Sequence, residues 1–382
     1  MSSFAQESFS GIAVIKSYNL QQKMNQGFDD LASESYQKNM SLVKVQAWFF
    51  PLMILLIGCS NLIVIYVGGN QYINNEIEIG VLAEFIIYVN MLTWPVAVVG
   101  WITSIVQQAE ASQERINSFL KEEPEIKDGT GVRQEVKGTI ELEDVSLFYP
   151  ETQIQALENI TLKIPSGTTL GIIGNIGSGK STLLDLVVRL YDPSKGKITL
   201  DGIDLKKYKL EELRANIGYI PQNAFLFSES IEDNIRFGSI NASTESIQEA
   251  SKMAAVHKNI MDFKEGYKTI LGERGITLSG GQIQRVSIAR ALIKDPKILL
   301  LDDCLSAVDT DTEEEILNHL KKAAQNKTTL IVSHRISSLK HADQIIVFEN
   351  GKIVQQGKHA ELIGVQGYYK ELFEKQQADR SK

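Results

Sequence analysis

TLGIIGNIGSGKSTLLDLVVRL, residues 169–190, decides the fold. A short apolar, β-branched run at 169–173 leads straight into GNIGSGKST at 174–182, and 180–190 then reads as a helix. Strand, glycine-rich loop and helix form the setting that a phosphate loop of pattern GxxxxGK[ST] requires. The glycines let backbone N–H groups converge on phosphate oxygens at a helix N-terminus. Lys180 can reach the same oxygens, and the Ser181 hydroxyl can hold Mg²⁺. Strands are also expected at 139–145 and 161–164. Residues 297–301, followed by Asp302, read as a buried parallel strand with an acid at its C-terminal end, placed to hold Mg²⁺ through water. Residues 328–332 form another such strand, ending at Ser333 and His334. That histidine either contacts a terminal phosphate or lines the core.

A second glycine pair stands in LSGGQ, 278–282. Ser279 reads as a helix cap, Gly280 and Gly281 as exposed backbone at a helix N-terminus, and 283–293 as the helix. Such a terminus is also an anion site. The loop at 174–182 already serves the nucleotide bound by this chain. The second site therefore has a task only if it faces a nucleotide held by another chain. The polar stretch 229–267 between Gln222 and LSGGQ reads as an inserted helical subdomain.

The chain has 382 residues and a net charge of -8, enough length for two domains. The first 110 residues are apolar and poor in charge, and the mild overall acidity argues against nucleic acid as a partner. Two cysteines, Cys59 and Cys304, are too few for a disulfide framework and suit a reducing interior. Cys59, in an apolar run, is expected to pack. The start, MSSFAQES, lacks the basic region and apolar core of a signal peptide.

Two stretches are long enough to cross a bilayer. Residues 47–67 would span about 31 Å as a helix, roughly one hydrocarbon core. Residues 80–106 exceed that length and are expected to tilt or project. Trp48, Tyr66 and Tyr72 sit where interfacial aromatics belong. Lys38 and Lys44 precede the first stretch, Arg115 and Lys121 follow the second, and the turn between them holds Glu76 and Glu78 but no Lys or Arg. That asymmetry puts both ends in the cytoplasm and the turn outside. Glu84 either lines a polar cavity or snorkels outward. Pro95 is expected to kink its helix. Flanking helices are expected over 4–44 and 107–120, and 122–131 has the Pro, Gly and charge content of a linker.

Together these stretches resemble an ATP-binding cassette exporter, over the whole chain. GNIGSGKST matches the family's Walker A, and FYP at 148–150 its A-loop, with Tyr149 stacking on adenine. IPQ, ending at Gln222, matches the Q-loop. GERG at 272–275 matches the exporter x-loop, 298–302 Walker B, 306–309 the D-loop, and His334 the switch histidine. The implied fold is an α-helical transmembrane segment followed by an α/β P-loop NTPase domain with an inserted helical subdomain.

The resemblance implies a transmembrane part at 1–121, with a coupling helix near 11–21 and spans near 47–67 and 80–106. A linker at 122–137 and a nucleotide-binding domain at 138–382 follow, its helical subdomain near 223–293. It implies ATP held by Tyr149, Gly174, Asn175, Gly177, Ser178, Gly179, Lys180, Ser181, Thr182 and Gln222. Ser279, Gly280, Gly281 and Gln282 would close on a partner's ATP. Mg²⁺ would be held by Ser181, Gln222 and Asp302, and catalysis would rest on Asp303, His334, Gln222 and Lys180. The location is the cell membrane, multi-pass, with the nucleotide domain in the cytoplasm. The partner is a second exporter half, as a heterodimer or a homodimer. The cargo is a small molecule such as a drug, a lipid or a peptide, and membrane lipid surrounds the spans.

This chain departs from the family pattern twice. It carries two spans, matching the fifth and sixth of a six-span half, so it is a fragment or the other four are encoded separately. Two spans wall off too little of a substrate cavity for transport alone. Family members place glutamate at position 303 as the base for the attacking water; Asp303 is one methylene shorter, about 1.5 Å of reach. In this family an aspartate there marks one half of a heterodimer with unequal sites, so this chain's own site is expected to turn over slowly. The alternatives are a soluble cassette-type regulatory ATPase and a truncated, non-transporting product.

Overall fold

The computed structural model describes residues 1–132, 134–272, 278–305 and 310–380. They form two compact units, Met1–Glu123 and Pro124–Lys382.

The first unit is helical. Short helices α1 (Ser2–Ser10) and α2 (Ile12–Ser17) precede two long ones, α3 (Gln21–Ile73) and α4 (Ile79–Lys121). At 53 residues α3 is about 80 Å long, far beyond the ~30 Å hydrocarbon core. The expected spans are therefore the apolar middles of longer rods, whose polar ends stay helical for want of a breaker. Both rods hold windows of mean hydropathy 2.3 and 1.7. They run antiparallel: a methyl group on Gly68 would sit 2.5 Å from Leu82 Cδ1, and one on Gly100 would sit 3.8 Å from Phe49 Cζ. Helix α4 continues through Pro95, as α3 does through Pro51. Neither proline ends its helix; each removes only one backbone donor. Glu84 accepts a hydrogen bond from the Tyr88 hydroxyl one turn on, so the carboxylate has a partner on its own helix. Cys59 does not pack against this chain but is exposed. Two rods bury only the stripe between them, and Trp94, Trp101 and Leu55 are likewise exposed.

The second unit opens with β1 (Ile140–Tyr149), β2 (Ile154–Ile164), β3 (Thr169–Gly174), β4 (Lys195–Leu200) and β5 (Ile203–Asp204). It continues through β6 (Ile217–Ile220), β7 (Ile298–Asp302), β8 (Thr328–Val332), β9 (Gln344–Glu349) and β10 (Lys352–Gly357). The helices are α5 (Lys180–Val187), α6 (Leu210–Ala215), α7 (Ile231–Arg236), α8 (Thr244–Met253) and α9 (His257–Met261). After them come α10 (Gly280–Leu292), α11 (Thr310–Ala323), α12 (Ile336–Leu339), α13 (His359–Gly364) and α14 (Tyr368–Arg380).

An antiparallel sheet of order β2-β1-β4-β5 lies apart from a six-stranded sheet of order β10-β9-β3-β8-β7-β6, parallel except for its β10 edge. All five residues of β7 are buried, as a strand between two parallel neighbours requires. Its side chains alternate between two cores. Ile298 and Leu300 join the cluster around α5 and β1, while Leu299 and Leu301 join the one formed with the inserted helices. A third cluster gathers Ile173, Ile336, Leu339, Val347 and Tyr369 under α12 and α14.

Helix α5 stops at Val187, three residues before the expected 190. Arg189 turns left-handed at φ 57, and Leu190 N–H closes onto Asp185 C=O at 2.8 Å, the hydrogen bond of a Schellman end. The Arg189 guanidinium is held by Asp192 at 2.9 Å. The stretch 122–137 is irregular but fastened down from Pro124 on. Gly129 and Gly131 donate to Tyr208 and Lys207 carbonyls. The Asp128 carboxylate accepts from Leu210 N–H at 2.7 Å. Asp201 takes the amides of Lys137, Gly138 and Thr139.

Candidate functional site

Strand β3 delivers its C-terminal Gly174 to a loop that ends at Gly179, the residue before α5. The turn is possible only without side chains at its two hinges. A Cβ at Gly174 would lie 2.2 Å from Phe348 O, and one at Gly179 would lie 2.5 Å from Ala156 O. Both have positive φ, 155° and 99°. Asn175 C=O accepts from Ser178 N–H at 3.2 Å, and Ser178 C=O from Gly351 N–H at 3.1 Å. The Ser178 hydroxyl is buried with no hydrogen-bond partner among the described residues. Gly177 faces open space, and Ile176 at the loop tip is 92% exposed.

Lys180 is buried, and its ammonium donates to the carbonyls of Gly174 at 2.9 Å and Asn175 at 2.6 Å. The side chain thus curls back under the loop. Burial pushes its pKa down, opposed by the charges of Asp302 and Asp303. Ser181, the next residue of α5, lies close enough to Asp302, the last residue of β7, to favour its charged form. Burial raises the Asp302 carboxyl; the Ser181 hydrogen bond works the other way, and nearby Asp185 and Asp303 add to the rise. A half-buried hydroxyl beside a buried carboxylate and a buried lysine is a donor set suited to a hydrated divalent cation next to phosphate. The cradle, the orphan Ser178 hydroxyl and this pair all fit a Mg²⁺-bound polyphosphate.

An aromatic flank of the loop comes from β1. Tyr149, half-buried, lies with its hydroxyl 3.5 Å from Thr182 Oγ1. Tyr191 meets it edge-on, ring centroids 5.2 Å apart. Together they make an aromatic face one helix turn from the phosphate loop.

The opposite end is built by strand register. Asp302 pairs with Val332 across β7 and β8. Asp303, just beyond, takes a left-handed φ of 42° and donates its N–H to Val332 O at 3.0 Å. Aspartate tolerates that conformation better than most residues. His334 stands two residues past the end of β8, half-buried. Gln222 follows β6, whose Ile220 pairs with Leu301; its side chain is exposed. The fold therefore sets Gln222, Asp303 and His334 off the C-terminal ends of three adjacent parallel strands, next to Asp302. Ligands of open α/β sheets sit at that edge.

Ser279, Gly280, Gly281 and Gln282 are elsewhere, at the start of α10. Ser279 caps the helix, and a capping box forms with Gln282, 2.9 Å and 3.3 Å for its two bonds. Among the described residues no hydrogen bond joins this corner to the phosphate loop. Residues 306–309 lie outside the described residues, as do 273–275 of GERG.

Three participants escaped the sequence reading. Tyr191 backs Tyr149. Asp185, one turn after Ser181 on α5, accepts from the Tyr219 hydroxyl at 3.1 Å. Burial lifts the Asp185 carboxyl, Tyr219 counteracts this, and burial beside Asp185 pushes Tyr219 strongly up. The 181-to-185 spacing was a legible signal for a shared helix face. Gln376 on α14 bonds the backbone around His334, a contact across 42 residues that local pattern could not reveal.

Residues 157–306 match the ABC transporter family, and residues 1–96 the ABC transporter transmembrane region. The multidrug resistance-like ATP-binding protein MdlA of Buchnera aphidicola (subsp. Schizaphis graminum) is 40% identical over 372 residues, covering 97% of this chain and 64% of the relative. Its Escherichia coli counterpart is 38% identical over 98% of this chain and 63% of its own length. The probable multidrug resistance ABC transporter ATP-binding/permease protein YheI of Bacillus subtilis is 38% identical over 97% of this chain and 64% of its own length. The structure of a bacterial Atm1-family ABC exporter with ATP bound superposes with a TM-score of 0.90 at 28% identity, over 98% of this chain and 66% of that one. The chain thus spans just under two thirds of the length of the relatives it matches.

Proposed function

We propose, from the premise that this chain belongs to the ABC transporters of half-transporter type, that it binds and hydrolyses ATP to drive export across the membrane its two long helices cross. One observation carries this reading. Lys180, Ser181 and Asp302 converge behind a glycine-hinged loop at the C-terminal edge of a parallel sheet, in the same chain as two helices matching a transmembrane region. In this reading 1–121 is part of the transmembrane domain, 122–137 the connection, and 138–382 the nucleotide domain.

The roles follow from the chemistry. Tyr149 stacks on adenine. Gly174, Asn175, Gly177, Ser178, Gly179 and Thr182 line the phosphates with backbone N–H groups and hydroxyls. Lys180 releases its two loop carbonyls and turns its charge to phosphate oxygens, a switch its flexible stem permits. Ser181, Asp302 and Gln222 would hold Mg²⁺, which supplies charge neutralisation at the phosphates. Asp303 accepts the proton of the attacking water, and His334 contacts the terminal phosphate. Asp303 stops one methylene short of a glutamate, and a misplacement of about 1 Å costs on the order of a hundredfold in rate. The site is therefore a slow one, and the partner's site, completed by Ser279, Gly280, Gly281 and Gln282 of this chain, is the faster. That assigns the chain to a heterodimer of unequal halves, with α2 as part of the coupling helix. Cargo of drug, lipid or peptide class is in keeping with the multidrug names of the relatives.

The test uses the full chain purified in lipid nanodiscs with the half that assembles with it. Lys180→Ala is expected to lower photolabelling of this chain by 8-azido-ATP more than about tenfold, through loss of a charge-assisted contact. Ser279→Arg is expected to leave that labelling intact and to cut phosphate release by about tenfold or more. Unchanged labelling in the first variant removes the nucleotide site. Unchanged phosphate release in the second removes the head-to-tail pairing.

A further inference from the structure

Four backbone groups of the loop that carries His334 are hydrogen-bonded, three of them to groups from outside it. Ser333 N–H donates to Ile172 O at 3.2 Å, and Arg335 N–H to Ser333 Oγ at 3.0 Å. Two further groups both go to one side chain. Gln376 Nε2 donates to His334 O at 2.7 Å, and Gln376 Oε1 accepts from Ile336 N–H at 3.0 Å. Helix α12 begins there, with no side-chain cap of its own at Arg335. Its first orphan N–H is thus satisfied by a residue of the last helix, across 40 residues of sequence.

Gln376 is held in place from the other end of α14. Tyr369 is fully buried, its hydroxyl 2.7 Å from His359 Nδ1, and its N–H reaches Gln355 Oε1 at 3.3 Å. Leu372 and Phe373 pack into the same cluster as Ile336 and Leu339. Residues 369, 372, 373 and 376 are spaced i, i+3, i+4 and i+7, one face of a helix. The apolar part of that face anchors α14, and its polar end grips the histidine loop. An amide fits because it offers one donor and one acceptor to a C=O and an N–H two residues apart. A carboxylate lacks the donor, and an apolar isostere lacks both.

We infer that Gln376 is a positioning residue for His334: α14 clamps the loop backbone so that the imidazole alone moves when nucleotide enters. This rests on the role proposed above for His334. Without the clamp the chain around residues 334–336 gains freedom, and the imidazole loses its placement at the phosphate. Nucleotide affinity, set by Tyr149 and the phosphate loop, stays as it was.

The experiment uses the full chain with its assembled half in nanodiscs, the partner's own catalytic base neutralised so that turnover reports this chain's site, comparing wild type, Gln376→Met, His334→Ala and the double variant, with ATP and Mg²⁺ as the probes. Gln376→Met preserves size and packing. It is expected to speed hydrogen exchange at the Ile336 amide, leave KM for ATP within about twofold, and lower kcat about tenfold. In the His334→Ala background it is expected to lower kcat no further, since residues acting as a unit are not additive. A further tenfold loss in that background, or an unchanged kcat in the single variant, overturns the inference. Should Gln376→Met fold poorly, Gln376→Glu keeps the acceptor for Ile336 and loses the donor to His334. It is expected to retain amide protection and still lose kcat, and an unchanged kcat there overturns the inference too. Failure of the underlying ATPase reading shows separately, as unchanged 8-azido-ATP labelling in Lys180→Ala. Exchange at Ile336 then decides the clamp alone, and an unchanged rate in Gln376→Met refutes it.

Discussion

Two glycine-rich helix starts in one domain solve opposite problems. The loop before α5 is conformationally strained and chemically unsatisfied. Its N-cap is Gly179 at φ 99°, with no side-chain cap. It holds an orphan buried hydroxyl on Ser178 and a buried lysine bound only to loop carbonyls. The start of α10 is relaxed and satisfied. Ser279 sits at φ -68° in a complete capping box, and Gly280 and Gly281 already belong to the helix. The first corner has donors left for a ligand, with Asp302 and Ser181 behind it. The second has no such second layer among the described residues. Its free resource is a helix N-terminus and a backbone bare of side chains, which suits a phosphate brought by another molecule. The difference teaches that identical residue types, glycine beside serine, leave an unsatisfied, glycine-hinged corner in one setting and a fully capped helix start in the other.

The comparison breaks most visibly at the glycines. Gly179→Ala would place a methyl 2.5 Å from Ala156 O, at a φ that L residues avoid. It is expected to cost about 1–3 kcal/mol of stability and to abolish nucleotide labelling of this chain. Gly280→Ala lies on ordinary helical backbone, where alanine is the better helix former. It is expected to leave the melting temperature unchanged or slightly raised. Equal destabilisation by both substitutions, measured by thermal melts of the full chain, would erase the distinction drawn here.

Asp303 sharpens the comparison from the catalytic side. In single-turnover hydrolysis, with the partner's own catalytic base neutralised, Asp303→Glu is expected to raise the rate at this chain's site by about tenfold. The gain stays below the full hundredfold because residue 303 sits at φ 42°, which aspartate accepts more readily than glutamate. Fast hydrolysis by native Asp303 in that background would end the claim of a slow site.

The smallest effect tests the anchor of α14. His359 bonds Tyr369 and lies against Phe373, with Lys340 and His341 nearby. Burial lowers its pKa below the ordinary 6.5, and Lys340 lowers it further. The unfolded chain therefore binds this proton more readily than the native one. The stability is full above the unfolded value and is lost as pH falls through the lower folded one. The melting temperature of the wild type is expected to fall a few degrees more on acidification than that of His359→Gln. Parallel pH profiles would show that His359 does not couple to the anchor.

The sequence alone determined what depends on near neighbours. The phosphate loop was legible because strand, glycines and lysine are contiguous in 169–190. Strand β7 was legible because burial between parallel neighbours leaves an unbroken apolar run. The α10 cap was legible because Ser279 and Gln282 are three residues apart. Both spans were legible as apolar length, though their helices run on through the polar flanks. Tertiary structure alone decided the rest. Register across β6, β7 and β8 is what lines up Gln222, Asp303 and His334. At the early stop of α5 the Val188 and Arg189 carbonyls are taken by Arg214, 25 to 26 residues on. Residues 122–131 read as a linker by composition, but Asp128 holds Leu210 N–H across 82 residues and Asp201 holds Lys137 N–H just beyond, across 64. The clamp of Gln376 on the histidine loop likewise joins two ends of a domain. The reason is common to all four. Hydrogen bonds within a turn or along a helix have partners at fixed sequence offsets, whereas a bond between elements exists only once packing has brought them together.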